Sequence, residues 1–338
     1  MRFVLACTCA VTIAGAQNIA GLRTMLEQAG LDGRAIQKLQ AGQVVAMNLK
    51  ARSHSELAVV GAAVIPVPRE YFLGRFRDIA RFEKGPQVLE VGVLSSPPTV
   101  ADLTRLSLSS TDIAALRVCR PGDCKVKLSQ AMMRQIETGM QGTAESAEGV
   151  DALYRAALID YIRRFLADGN QALACYVDQR RRVCIARELR ALLPEFSVLR
   201  EYAPDLYDQL NGSVPAPPPG PNDFLYWSEE KVGPLKPMVS VTQVIIESNG
   251  RAGARESFIA SKQIYASHYF RASLGVTVLA DAGPNSVLML YLNRSRFDGV
   301  GGGLGGLKRA LLRHRLRSGM QQNLTRIRSR LEASWKPG

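Results

Sequence analysis

The stretch Ser261-Lys262-Gln263-Ile264-Tyr265-Ala266-Ser267-His268-Tyr269 gathers most of the side chains that could move a proton. The chain has three histidines, His54, His268 and His314, and only His268 has such company. Read as a strand, Lys262, Ile264, Ala266, His268 and Phe270 share one face; Ser261, Gln263, Tyr265, Ser267 and Tyr269 share the other. A Lys and a His on an otherwise apolar face could act as general acid and base. Six residues of extended chain put them about 20 Å apart, so they cannot touch. The polar-aromatic face reads as the wall of a hydrogen-bonding cavity, or as satisfied polar groups in a sheet. Other catalytic patterns fail, with no H-E-x-x-H and no G-x-S-x-G. No catalytic residue is assigned; His268 is the alternative.

Gly301-Gly302-Gly303-Leu304-Gly305-Gly306 satisfies G-x-G-x-x-G between a strand and a helix. A dinucleotide fold also needs a second parallel strand bearing an acidic residue about 20 positions on. The sequence instead continues as helix, so neither a nucleotide nor any other cofactor is expected. The loop reads as a connector or lid. Alternatively, the helix start with Lys308 and Arg309 could hold an anionic head group. The helix is basic throughout, with Arg313, Arg315, Arg317, Arg326, Arg328 and Arg330 against Glu332. That is a solvated outer face or a surface for anionic lipid.

Cys119 and Cys124 flank Arg120-Pro121-Gly122-Asp123, a turn that brings both within disulfide reach. No His or thiol pair follows at ligand spacing, so no metal is expected. Cys175 and Cys184 are a second pair or buried thiols between helices. Cys7 and Cys9 fall in an apolar leader, Phe3 to Ala14, after Met1-Arg2 and before Ala14-Gly15-Ala16. The expectation is a signal peptide over 1–16, cleaved before Gln17, and a soluble exported protein, periplasmic or secreted. Cys7 lies too early to be a lipoprotein acceptor. An even count of remaining cysteines suits an oxidising compartment. Net charge is +13, with 46% hydrophobic and 22% charged residues, a globular composition. The charge favours anionic partners, but export makes nucleic acid an unexpected one.

These residues need elements to hold them. Residues 17–42 suggest two short helices. Residues 43–98 begin an α+β core: strands Val44–Leu49 and Leu57–Val67 as a hairpin, a helix over Glu70–Phe82, and a strand over Val88–Leu94. Residues 99–213 read as a mainly helical insertion, with a strand over Leu103–Leu108, a short helix to Val118, and helix from Ala131 to Leu210. Arg180-Arg181-Arg182 would then point in three directions around a helix. Residues 214–222, with Val214 to Pro221, form a proline-rich linker. Over 223–333 the period becomes two. Strands Phe224–Glu229, Met238–Glu247, Phe258–Phe270, Leu274–Ala280 and Ser286–Asn293 have short links, implying an antiparallel meander. The last helix carries Leu312, Leu316, Met320, Leu324, Ile327 and Leu331 as an apolar stripe.

Tyr291-Leu292-Asn293-Arg294-Ser295-Arg296-Phe297-Asp298-Gly299, with the glycine loop and helix after it, resembles the end of START lipid-transfer domains. With the strand pair, helix and meander, the order of elements over 43–94 and 223–333 is similar to the helix-grip (START-like, SRPBCC) superfamily. The resemblance implies a curved antiparallel sheet closed by the C-terminal helix. It implies an apolar or amphipathic, lipid-like ligand held between them, and carries over no catalytic residues. The insertion over 99–213 departs from that pattern. The expected fold is thus α+β and helix-grip-like with a helical insertion. Strand position suggests Trp227, Tyr265, Tyr269, Tyr291 and Arg294 as ligand-lining residues. The expected function is an exported binding or carrier protein. The alternatives are a periplasmic enzyme using His268 and an envelope structural or interaction protein. The stretches CRPGDCKVKL and SKQIYASHYF also have the look of an exported bacterial family of no assigned activity.

Overall fold

The computed structural model describes residues 22–141, 146–213, 220–231, 235–248, 256–299 and 305–336, with side chains from 309 onward in the last segment. The leader over 1–16, most of the proline-rich run and glycines 301–303 lie outside the described residues. So does the side chain of Lys308.

β-Branched and aromatic residues at period two build one eight-stranded antiparallel sheet. Its strands are β1 (Val45–Asn48), β2 (Glu56–Ile65), β3 (Val88–Val93), β6 (Asp223–Glu230), β7 (Met238–Glu247), β8 (Glu256–Ala266), β9 (Phe270–Gly283) and β10 (Ser286–Phe297). The spatial order is β1-β2-β10-β9-β8-β7-β6-β3. The meander β6 to β10 is therefore as the short links predict. Its last strand pairs with β2 of the early hairpin, for instance Tyr291 opposite Gly61. β1 and β3 remain edges, so the sheet is not closed.

Each face has its own helical layer. On one lie α1 (Arg23–Gln28), α2 (Gly33–Gln40), α5 (Ser110–Arg117), α6 (Gln130–Met140), α7 (Ala147–Asp168), α8 (Ile185–Leu192), α9 (Ser197–Tyr202) and α10 (Pro204–Asn211). On the other lie α3 (Arg69–Arg77), α4 (Ile79–Phe82) and the long α11 (Gly305–Ser334). The alternation of β10 divides the two: Leu288, Leu290 and Leu292 join the first core, Val287 and Met289 the second. The architecture is α+β, a large antiparallel sheet with the C-terminal helix packed on it.

Four local expectations change. Leu103–Leu108 is not a strand; a 3-10 turn over Val100–Leu103, held by a Thr99–Asp102 capping box, leads into irregular chain. The helix over 70–82 breaks at Asp78, whose ψ of 63° is not helical. The helical run to Leu210 is interrupted by a small hairpin, β4 (Cys175–Tyr176) and β5 (Val183–Cys184), so Arg180–Arg182 lie in its loop and not on a helix. The strand over 258–270 ends at Ala266, because Ser267 turns the chain: its N–H donates to Val239 O and its hydroxyl accepts from Val239 N–H. Tyr269 completes that turn at φ 58°, a conformation rare for a residue with a Cβ.

Candidate functional site

Helix α11 reaches the sheet over Gly61 of β2. A Cβ there would lie 2.6 Å from Leu324 Cδ1 and 2.8 Å from Met320 Cγ, so glycine permits the close approach. From Met320 to Leu331 the apolar stripe is buried against α3, α4 and the sheet. From Leu312 to Gly319 it packs through Leu312 and Leu316 against Leu57 and Phe297, and borders a cavity of about 810 Å3. β2 and β10 border this cavity through Val59, Tyr291 and Asn293; β3 and β6 border it through Val88 and Glu230. Strands from opposite ends of the sheet thus meet one cavity, which requires the sheet to bend round the helix. The size and mixed lining are those of sites for small ligands.

Polar groups line the cavity from both sides: α11 supplies His314, Arg315, Ser318, Gln322, Asn323 and Arg326, and the strands supply Glu230, Tyr291 and Asn293. Glu83, just after α4, and Glu230, at the end of β6, both line the cavity. Burial pushes the Glu83 carboxyl up to about 7, the charge of Glu230 pushes the same way, and Arg326 and Arg330 oppose. Burial also raises Glu230, although its carboxylate accepts a 2.6 Å hydrogen bond from Ser228 Oγ. The Tyr291 hydroxyl is pushed up to about 12 by burial and then by Glu83. Its ring lies over Gly275, where a Cβ would be 2.9 Å from the hydroxyl. Asn293 Nδ2 donates to Ser273 Oγ at 3.3 Å and reaches the Tyr291 hydroxyl at 3.5 Å. Arg326 lies across Gly85, with Nη1 2.5 Å from where a Cβ would be. Two carboxyls, a phenol, an amide and a guanidinium offer both donors and acceptors beside apolar residues.

Of the five expected lining residues, only Tyr291 borders this cavity. Trp227 and Tyr265 are fully buried on the opposite face. Trp227 Nε1 donates to Asp102 O at 2.9 Å, and the Tyr265 hydroxyl donates to Lys127 O at 2.9 Å. Arg294 is buried in an ion pair, its Nη1 2.5 Å from Glu56 Oε1, with Glu195 at 3.5 Å. Tyr269 lines a small apolar cavity of about 40 Å3 with Phe297, Leu312 and Leu316. Arg309 binds its own chain: Nη1 is 3.3 Å from His54 Nδ1, and Nη2 donates to Ser53 O at 3.3 Å. Cys119 is bonded to Cys124, and Cys175 to Cys184. Sequence reading puts Arg326 only on the basic outer face of the last helix and does not single out Glu83, Glu230 or Asn293. An acidic residue directly after an apolar helical stripe was the one available signal for Glu83.

A second polar cluster surrounds His268, which is 6% exposed. Its Nε2 is 3.1 Å from Asp112 Oδ1, but off the line of a hydrogen bond. Lys236 Nζ donates to the same Oδ1. Burial acts to raise the Asp112 carboxyl; His268 and Lys236 outweigh it and hold the carboxyl below its usual range. On the other side of the turn, Lys127 N–H donates to Ser267 O at 2.8 Å, and Asp298 N–H to Tyr269 O at 2.7 Å. Lys127 Nζ donates to Asp298, which also accepts from Arg271 at 2.7 Å. The two stretches CRPGDCKVKL and SKQIYASHYF therefore meet through Lys127, Tyr265 and Ser267. Lys262 stands apart, hydrogen-bonded to Asn170 at 3.0 Å, as the extended spacing required.

Fold and site define an α+β protein whose C-terminal helix covers an amphipathic cavity on a large antiparallel sheet. No family model matches the chain, and no curated protein matches its sequence. Among the described residues no helix is long and apolar enough to cross a membrane. None of their His, Cys, Asp and Glu side chains form a group of three placed to hold a metal.

Proposed function

We propose that the protein binds or carries an apolar or amphipathic, lipid-like molecule in the cavity between the sheet and α11. The single observation that carries this reading is the unfilled space of about 810 Å3 between the sheet and α11, bordered by Val59, Val88, Leu312, Leu316 and Met320. Where apolar side chains border empty volume they forfeit dispersion contacts that an apolar ligand would restore. Its polar groups, among them Glu83, Glu230, Asn293 and Arg326, suit a head group, and Val59, Leu312 and Leu316 suit a chain. A helix-grip relationship agrees with a helix lying in a bent sheet. Export agrees with two disulfides, which persist in oxidising compartments. Native mass spectrometry of the folded protein, with solvent extraction, tests the reading. A stoichiometric amphiphile that leaves on denaturation is the expected result; an empty protein that takes up no amphiphile from detergent-free dispersions would overturn it.

One observation favours catalysis by His268 instead, the facing carboxylate of Asp112. The depth of the ring argues for a structural role. His268→Ala should therefore lower the melting temperature, the loss expected when a buried carboxylate gives up a neighbour. The enzyme reading predicts unchanged melting with loss of a turnover.

A further inference from the structure

The two disulfide loops interlock into one rigid knuckle. Cys119–Cys124 closes the turn in which Arg120 and Asp123 pair; Cys175–Cys184 closes the β4–β5 hairpin. Gly122 N–H donates to Val177 O at 2.7 Å, Cys124 N–H donates to Asp178 O at 2.9 Å, and Asp123 pairs with Gln179. Gly122, at φ +87°, brings the first loop against the second: a Cβ there would lie 3.9 Å from Arg180 Cα.

The knuckle carries Arg120, Lys125, Arg180, Arg181 and Arg182, all exposed. None of the five forms an ion pair among the described residues. Asp178, which could oppose them, is buried, with Oδ2 3.7 Å from Lys127 Nζ. Asp123 is the one exposed carboxylate within the two loops. Immediately before Cys119, Val118 is 71% exposed, more than any other large apolar residue described.

We propose that this knuckle is a docking surface for an anionic lipid bilayer. Four of the five cations are arginines, whose planar forks match phosphate oxygens. Two disulfides and the cross-loop hydrogen bonds hold the array in place before contact, so docking loses little chain entropy. The exposed Val118 selects between sources of phosphate: a bilayer offers it an apolar boundary, and a soluble polyanion does not. The proposal does not rest on the cavity reading, and ligand occupancy is measured separately.

The test is co-sedimentation of the disulfide-intact protein with phosphatidylcholine vesicles, with and without phosphatidylglycerol. Binding should require phosphatidylglycerol and weaken with salt. Each lost cation should weaken it about fivefold, so R180Q/R181Q/R182Q should lose about a hundredfold with melting unchanged. Val118→Ser should weaken vesicle binding and leave binding to inorganic polyphosphate alone. The proposal is overturned if phosphatidylglycerol makes no difference, or if the triple variant binds like the wild type. It is also overturned if R313Q/R315Q/R317Q on α11 abolishes binding instead, or if Val118→Ser leaves vesicle binding unchanged. Failure here with an amphiphile found in the cavity would leave the carrier reading standing; the converse result would leave the knuckle.

Discussion

The two faces of the sheet solve the same packing problem differently. Against α1, α2 and α5–α10 the face is filled by Tyr154, Tyr161, Tyr176, Trp227 and Tyr265, all fully buried. Their polar atoms are partnered: Tyr154 donates to Tyr265 at 3.1 Å, Tyr161 to Ile264 O at 2.6 Å, and Ala266 N–H to Tyr176 at 2.9 Å. Against α11 the same sheet leaves a cavity and pushes two carboxyls upward in pKa. Large amphipathic residues with satisfied ends serve stability on the first face. Unfilled volume with unequal, partly desolvated polar groups is what a binding site needs on the second.

The comparison can be broken most sharply from the filled side. Trp227→Ala should cost about 3–5 kcal/mol in denaturant unfolding, since it empties a packed site and orphans Asp102 O. A cost near zero would mean that this face also tolerates empty volume. Next comes the seam where α11 meets β2. Gly61→Val should cost about 1–3 kcal/mol by driving a side chain into Met320 and Leu324. It should also loosen amphiphile binding, because the helix can no longer seat.

A smaller effect is expected of Glu83. Its folded-state pKa, about 7, lies above the unfolded value, so its contribution is fully present below the unfolded pKa and is lost as pH rises through about 7. Glu83→Gln should therefore be more stable than the wild type at pH 8, on the order of 1 kcal/mol, with the gap closing towards pH 4. Melting curves across that range check the sign. A Glu83→Gln variant less stable than the wild type at pH 8 would place Glu83 in a stabilising ion pair instead.

Much of the fold is legible in the sequence. Period-two runs separated by Asn-Gly and Pro-Asn turns mark β7 to β10, and Leu324, Ile327 and Leu331 mark the face of α11 that packs. The candidate site is less legible. Glu83 and Glu230 sit on segments far apart in the chain, and only the bend of the sheet brings them to one cavity. Trp227 and Tyr265 look like wall residues because alternation shows that they share a face with something. It does not show which face receives α11 and which the helical layer. The register shift between Val241 and Thr242, where Tyr265 and Gln263 are the partners, further breaks the simple alternation around Ile264. Arg180–Arg182 look helical because the flanking segments are; the Cys175–Cys184 pairing, a matter of distance in space, turns them into a loop.

The cavity is tested most directly at Gly319, which lines it from α11 and where an added Cβ meets nothing within 4 Å. Gly319→Leu should fill the space under the helix. Replacing a mid-helix glycine should at the same time hold or raise the unfolding free energy, by about 1 kcal/mol at most. Fluorescence titration of a labelled fatty-chain amphiphile into both proteins decides the matter. The account predicts one-to-one saturable binding to the wild type and at least about a tenfold loss in Gly319→Leu, the effect of about 1.4 kcal/mol of lost contact. Equal binding by the two proteins, or none by the wild type, would contradict it.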